Sequence, residues 1–346
     1  MRRLLTPWRA VGAIALLALI ALLVLYSVPS GTFPHQLVGR KAATSQYLLT
    51  PGGAHPVAPL VQVQGARPSK SGSLYFVDVL ERRASTLDAL LPSLHPHATL
   101  VPADAIVPPC SSDAQATAAA LQDMAVSHRV AAVVALRKLH YHVVAKPTGV
   151  LVAQVILGTH APCHLQERDV VVAVDGMPTP TETALHKALG RVQPGAVVEL
   201  RVRRDGKLRT VGVRTVDVRG RALVGFVPDQ SAAIKLPIRV AIDTGDVGGP
   251  SAGLAFALEL MQKLGRNVLH GHSVAATGEI ELNGAVSPIG GIKQKTYGAR
   301  KAGVDVFLVP AGQNARDARR YAGPVRIIPV RSLDQALHAL ATLPAA

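Results

Sequence analysis

The chain has 346 residues, 49% of them apolar, which is enough for about two domains. It carries a formal net charge of +15 with only 3% aromatic residues. That charge suits an anionic neighbour, but scattered basic residues and few rings to stack bases on speak against nucleic acid as the partner.

Residues 1–9 carry Arg2, Arg3 and Arg9, and Ala10 to Val28 then runs nineteen residues without a charge. A helix of that length nearly spans the ~30 Å hydrocarbon core. The run is longer than a cleaved signal's apolar region and ends in Tyr26-Ser27-Val28-Pro29. It therefore predicts an uncleaved, single-pass anchor over 10–28 in the cell membrane. The arginines stay in the cytoplasm, and everything after residue 29 lies outside. Residues 29–60, rich in Pro, Gly and Ser, read as a linker with at most one short strand.

The alternating Gly72–Arg82 segment predicts a strand covered on both faces. A helical period without internal Gly or Pro predicts a helix over 112–140. The pattern then turns β-rich. Strands are predicted at 149–155 and 169–176, a short helix at 183–191, and a hairpin over 197–216 across Asp205-Gly206. From Pro237 the reading is α/β: a strand at 238–242, helix 251–264, strand 274–280, helix 293–302, strand 305–309 and a closing helix 332–342. Whether Cys110 and Cys163 pair is left open by the sequence; neither sits in a CxxC motif.

Two residues carry the chemistry. Gly248-Gly249-Pro250 forces a sharp turn that presents Ser251 at the start of an amphipathic helix, where free amides and the helix dipole suit an oxyanion. Gly249 and Ala252 are the candidate amides there. Alone, Ser251 is equally the residue type of a helix cap. Lys295 falls on the apolar face of its helix with Ile292 and Ala299, whereas Lys293 points about 100° away. Burial depresses a lysine pKa and makes it a usable general base; the alternative is a snorkelling side chain. Thr277 offers a hydroxyl to hold the lysine amine. His270/His272 and His140/His142 lack metal-ligand spacing, so no metal and no cofactor are expected. Gly245–Pro250 has only a faint GDSGGP look, with Val247 at the nucleophile position.

The motifs Gly249-Pro250-Ser251-Ala252-Gly253, Thr277-Gly278-Glu279-Ile280, Gly284 with Val286, Pro288 through Lys295, Ala302-Gly303 and Val309-Pro310 stand in one order. Over 236–312 they resemble the proteolytic domain of the Lon family of serine–lysine peptidases. That resemblance implies Ser251 as nucleophile, Lys295 as base and Thr277 as a supporting hydroxyl. The 143–217 segment resembles a PDZ domain of the bacterial protease type, a small partly open β-barrel. It implies a carboxylate-binding loop at Thr148, Gly149, Val150 and Leu151, with backbone amides gripping an extended peptide. Residues 124–132 resemble the Lon-domain helix that precedes the catalytic strand. On that likeness, residues 61–142 pack on or belong to the Lon domain, which continues over 218–346 with mixed sheets and helices (an α+β and α/β fold).

No GxxxxGK[ST] phosphate loop occurs in the chain. Anchor, PDZ segment and Lon-type domain in this order resemble membrane-anchored bacterial PDZ–Lon proteases. The resemblance implies ATP-independent hydrolysis of unfolded or flexible exported polypeptides and a homo-oligomer, with a hexameric ring as the expected form. The competing reading is a membrane-tethered PDZ adaptor with an inactive Lon-like domain; intact Ser251, Lys295 and Thr277 argue against it.

Overall fold

The computed structural model describes residues 7–67, 72–204 and 206–344. Arg2 and Arg3 of the expected cytoplasmic tail and Asp205 of the expected hairpin turn lie outside the described residues.

Helix α1 (Pro7–Ser27) runs 21 residues. Its apolar side chains face outward, with Trp8 at 88% and Leu17 at 66% exposure. The end of this segment is tied to the body, where the Thr86 amide donates to the Val28 carbonyl at 2.8 Å.

The body begins with strands β1 (Gln46–Pro56), β2 (Val61–Val63), β3 (Ser73–Arg83) and β4 (Thr99–Pro102), then helix α2 (Asp113–Lys138). The linker expected over 29–60 is therefore corrected: it holds the eleven-residue β1. Its Pro51-Gly52-Gly53, composition that reads as linker, is a bulge inside the strand, with the register shifting between Pro51 and Ala54. Asp78 closes that bulge by accepting the Gly53 amide at 2.5 Å. Helix α2 starts on a capping box of Ser112 and Gln115 and ends on Arg137 and Lys138, which suit its dipole. It is long and apolar enough to cross a membrane, yet Ala131 to Leu136 are buried in the core.

A smaller domain follows: β5 (Val144–Val155), β6 (Val170–Val174), α3 (Glu182–Leu189), β7 (Val197–Arg204), β8 (Lys207–Arg214) and β9 (Phe226–Lys235). Its strands run in the order β9-β5-β6-β7-β8, an open sheet with β9 and β8 at its edges. Val150, Val171, Leu200 and Leu185 form its core. The sheet extends past residue 217, the end expected for this domain, because β9 pairs with β5 along nearly its whole length. Cys110 and Cys163 form a disulfide that joins the loop before α2 to the connection between β5 and β6.

The last third contributes β10 (Val240–Ile242), α4 (Gly253–Lys263), β11 (Ser273–Ala276), β12 (Glu279–Ile280), β13 (Val286–Ser287), α5 (Ile292–Lys301), β14 (Val306–Pro310), α6 (Gln313–Tyr321), β15 (Arg326–Val330) and α7 (Leu333–Ala341). The large sheet has the order β15-β14-β11-β3-β1-β4, so strands from both sides of the small domain share it. β11 lies parallel to both β3 and β14. Val306 and Leu308 of β14 pack with α4, Phe307 and Val309 with α5 and α6. That two-sided burial explains the unbroken apolar run of β14. The strand expected over 274–280 is broken at Thr277-Gly278. A Cβ on Gly278, whose φ is +149°, would lie 2.5 Å from Val286 Cγ1. This break carries the chain out of the sheet and past Ser251.

Candidate active site

Gly249 adopts φ +88°, which a Cβ would strain, and delivers the chain into a 3₁₀ turn, Pro250–Ala252, ahead of α4. Two elements, α2 and the Thr277-Gly278 break, hold this turn. The Gly249 amide donates to the Ala120 carbonyl on α2 at 2.7 Å. The buried Ser127 hydroxyl, also on α2, donates to the Pro250 carbonyl at 3.0 Å. The Ser251 carbonyl accepts both the Gly278 amide (2.7 Å) and the Thr277 hydroxyl (3.1 Å). Gly253 is needed at the head of α4 because a Cβ there would meet Ser127 Oγ at 2.8 Å and Ile280 Cγ2 at 2.9 Å. With its backbone fixed by α2 and by Thr277-Gly278, Ser251 has little freedom left beyond its own χ1.

Helix α5 brings the lysine. Its N-terminal neighbour Gly291 is left-handed (φ +67°), and a Cβ there would sit 2.6 Å from Val79 Cγ2, so the helix start is pressed onto β3. One turn on, Lys295 is 5% exposed and donates from Nζ to Ser251 Oγ at 2.5 Å. Burial pushes its pKa down to about 8, against the pull of Asp78 and Glu81. Lys293, in contrast, reaches away to the Ala98 carbonyl at 2.8 Å. Ser251 and Lys295 open into a cavity of about 560 Å³, walled also by Asp78, Glu81, Asp246 and Glu279. Desolvation, with Asp229 and Asp123 adding to it, pushes the Glu279 pKa up to about 7.

Two expectations at this site need correcting. Thr277 does not hold the lysine amine. Its hydroxyl turns to the Ser251 carbonyl, so it fixes the serine's backbone. Gly249 is not a free amide either, because Ala120 takes its N–H. Ala252 is buried beside the serine at the head of α4. Ser127 and Ala120 were missed by sequence reasoning, since nothing local in a helical heptad marks a contact more than 120 positions away. His128 sits edge-on to Phe256, and burial pushes its pKa down to about 4, a core histidine. Asp243 accepts the Gly245 amide at 3.0 Å and shapes its own turn. Among the described residues no cluster of His, Cys, Asp and Glu is arranged to hold a metal.

In the small domain, Thr148, Gly149, Val150 and Leu151 do not form a loop. They lie inside β5, all four in the stretch paired with β9, and Val150 and Leu151 also pair with Val171 and Val170 of β6. With Val150 and Val152 fully buried, their amides belong to the sheet. An open groove of about 850 Å³ lies elsewhere, between α3 and the segment entering β9, lined by Leu185, Leu189, Val224 and Phe226. β9 is the edge strand there, so one row of its backbone groups has no strand partner among the described residues. Gly225 (φ +99°), where a Cβ would strike Thr159, was the available signal.

Residues 219–342 match the model of the Lon protease (S16) C-terminal proteolytic domain, and residues 131–215 that of the PDZ domain. The Lon protease of Chloroflexus aggregans is 37% identical over 134 residues, 37% of this chain and 16% of that protein. Lon protease 1 of Myxococcus xanthus is 38% identical over 126 residues, 35% of this chain and 15% of that protein. The matched stretch thus spans only about a sixth of these relatives' length. A solved PDZ domain from an SdrC-like protein of Listeria monocytogenes aligns with 23% of this chain and 87% of its own at 18% identity, with a TM-score of 0.22, too low to bear on the fold. The matches give residues 219–342 the class of a serine peptidase domain. More narrowly, those residues match the Lon (S16) type, next to a stretch that matches a PDZ domain.

Proposed function

We propose that this protein is a membrane-anchored, ATP-independent serine endopeptidase in which Ser251 is the nucleophile and Lys295 its general base. The observation that carries the reading is the buried Lys295 Nζ set 2.5 Å from Ser251 Oγ. A pKa near 8 leaves about one lysine in ten neutral at pH 7, against about one in three thousand at the ordinary 10.5. Neutral Lys295 takes the proton as Ser251 Oγ attacks a peptide carbonyl, then returns it to the leaving amine. Water hydrolyses the acyl-enzyme with the same base. The amides of Ser251 and Ala252, at the positive end of α4, are the candidate oxyanion donors.

β11 pairs with β3 only as far as Phe76, and the next residues, Val77 to Glu81, wall the Ser251 cavity. An extended substrate segment fits along that unpaired edge. A chain with no regular structure of its own presents such a segment, so unfolded or flexible polypeptides are the substrates. The groove between α3 and β9 captures another extended stretch. Helix α1, 21 residues long and largely apolar, is the anchor, and the Cys110–Cys163 disulfide suits an extracytoplasmic, oxidising side. Assembly into a ring is part of the same reading.

The test is cleavage of casein by the full chain in detergent micelles, with and without ATP. Ser251→Ala and Lys295→Ala abolish cleavage, Lys293→Ala keeps most of it, and ATP changes nothing. Cleavage that survives in Ser251→Ala ends the proposal.

A further inference from the structure

The chain carries a net charge of +15, yet the cavity at Ser251 has the opposite character. Four carboxylates, Asp78, Glu81, Asp246 and Glu279, line it, and Lys295 is its only lysine or arginine. Asp78 has partners inside the fold, and Glu279 is set apart by its position. Asp78 accepts the Gly53 amide and pairs with His55 at 3.2 Å. Glu279 sits inward beside the serine, where the cavity meets the small domain.

Glu81 and Asp246 differ from these. They come from separate elements, β3 and the loop before Gly249, and both wall the Ser251 cavity and a second cavity of about 550 Å³ that continues it. Neither side chain makes a hydrogen bond or ion pair to another described residue. Arg82 and Arg83 line the second cavity too, and each is already paired: Arg82 with Asp88 at 2.7 Å and Arg83 with Asp113, also in the lining, at 2.6 Å. Much of the Glu81 side chain reaches solvent, but the walls crowd its carboxyl enough to raise its pKa, opposed by Lys295. Where the groove leaves the serine, two carboxylates without a hydrogen-bond or ion-pair partner among the described residues thus stand on its walls.

We propose that Glu81 and Asp246 form a specificity subsite that takes a lysine or arginine side chain of the substrate a few residues from the scissile bond. This rests on the peptidase reading above and adds the substrate class. A cationic side chain arriving there gains attraction from both carboxylates, and an acidic one meets repulsion from both.

The test uses the full chain in detergent micelles. Bonds cut in α-casein are mapped by mass spectrometry, and one cut segment is synthesised with Lys, Gln or Glu at each neighbouring position in turn. At one position the Lys peptide exceeds the Glu peptide by about fivefold in kcat/KM, and the ratio shrinks as salt screens it. In Glu81→Gln/Asp246→Asn the ratio collapses towards one, and in Glu81→Lys it inverts. The readout is a ratio between peptides, and the wild-type ratio with its salt dependence stands even if a variant fails to fold. Cleavage without charge preference, or a preference untouched by the double substitution, overturns the subsite and leaves the peptidase standing. Absence of any Ser251-dependent cleavage overturns the peptidase reading and the subsite with it.

Discussion

The base assignment makes a quantitative demand on the pH profile. Burial holds the Lys295 pKa near 8, and Asp78 and Glu81 pull it back towards the ordinary 10.5. Only neutral lysine accepts the serine proton, so kcat/KM for a short neutral peptide climbs about tenfold per pH unit below the midpoint. From pH 6 to pH 8 the neutral fraction grows from about 1% to about 50%, a rise of roughly fiftyfold, with a plateau above pH 9. Glu81→Gln removes a carboxylate that favours the ammonium, so the midpoint moves to lower pH. The assay is the initial rate on a fluorogenic peptide across pH 5.5 to 9.5 in buffers of constant ionic strength. A midpoint near 6.5, the histidine range, a midpoint near 10.5, or an upward shift in Glu81→Gln refutes the reasoning.

The same lysine weighs on stability. Its folded pKa lies below the unfolded one, so folding carries the cost of a buried amine below pH 8, and that cost fades as pH rises from 8 to 10.5. It is worth roughly 3 kcal/mol, so Lys295→Met raises the urea midpoint at pH 7 and loses that advantage by pH 10.5. An equal effect at both pH values contradicts this. Thr277→Val and Ser127→Ala each remove one hydroxyl that donates to the turn carrying Ser251. Each lowers kcat by about tenfold with KM little changed, and stopped-flow acylation rates check it. Cys110→Ser opens a tether between positions 53 apart. It costs about 2–4 kcal/mol, seen as a lower melting temperature that matches wild type under dithiothreitol.

Where function is concentrated in local pattern, the sequence was legible. The 3.6-residue period put Lys295 on the buried face of α5 and Lys293 off it, and both positions hold. Glycine and proline around Ser251 marked a turn because few other residues tolerate that backbone. What escaped was long-range. Strand β1 was hidden by Pro51-Gly52-Gly53, turn residues that here form a bulge closed by Asp78 from β3. The residue pattern marked a strand at 149–155, which β5 contains, whereas the ligand loop at Thr148 to Leu151 came from the resemblance and gives way to pairing on both sides of that strand. Thr277 was recognised as part of the site but given the wrong partner. Type and rough position do not say which way a hydroxyl turns, and the break at Gly278 decides it.

The central claim is that Lys295 makes Ser251 a nucleophile, and covalent labelling reads it most directly. The full chain is incubated with a fluorophosphonate at pH 8, and the rate of adduct formation is followed by mass spectrometry of the peptide carrying Ser251. The account predicts labelling on Ser251 in wild type and a loss of at least about a hundredfold in rate in Lys295→Met. Equal labelling in both proteins, or an adduct on another residue with Ser251 untouched, contradicts it.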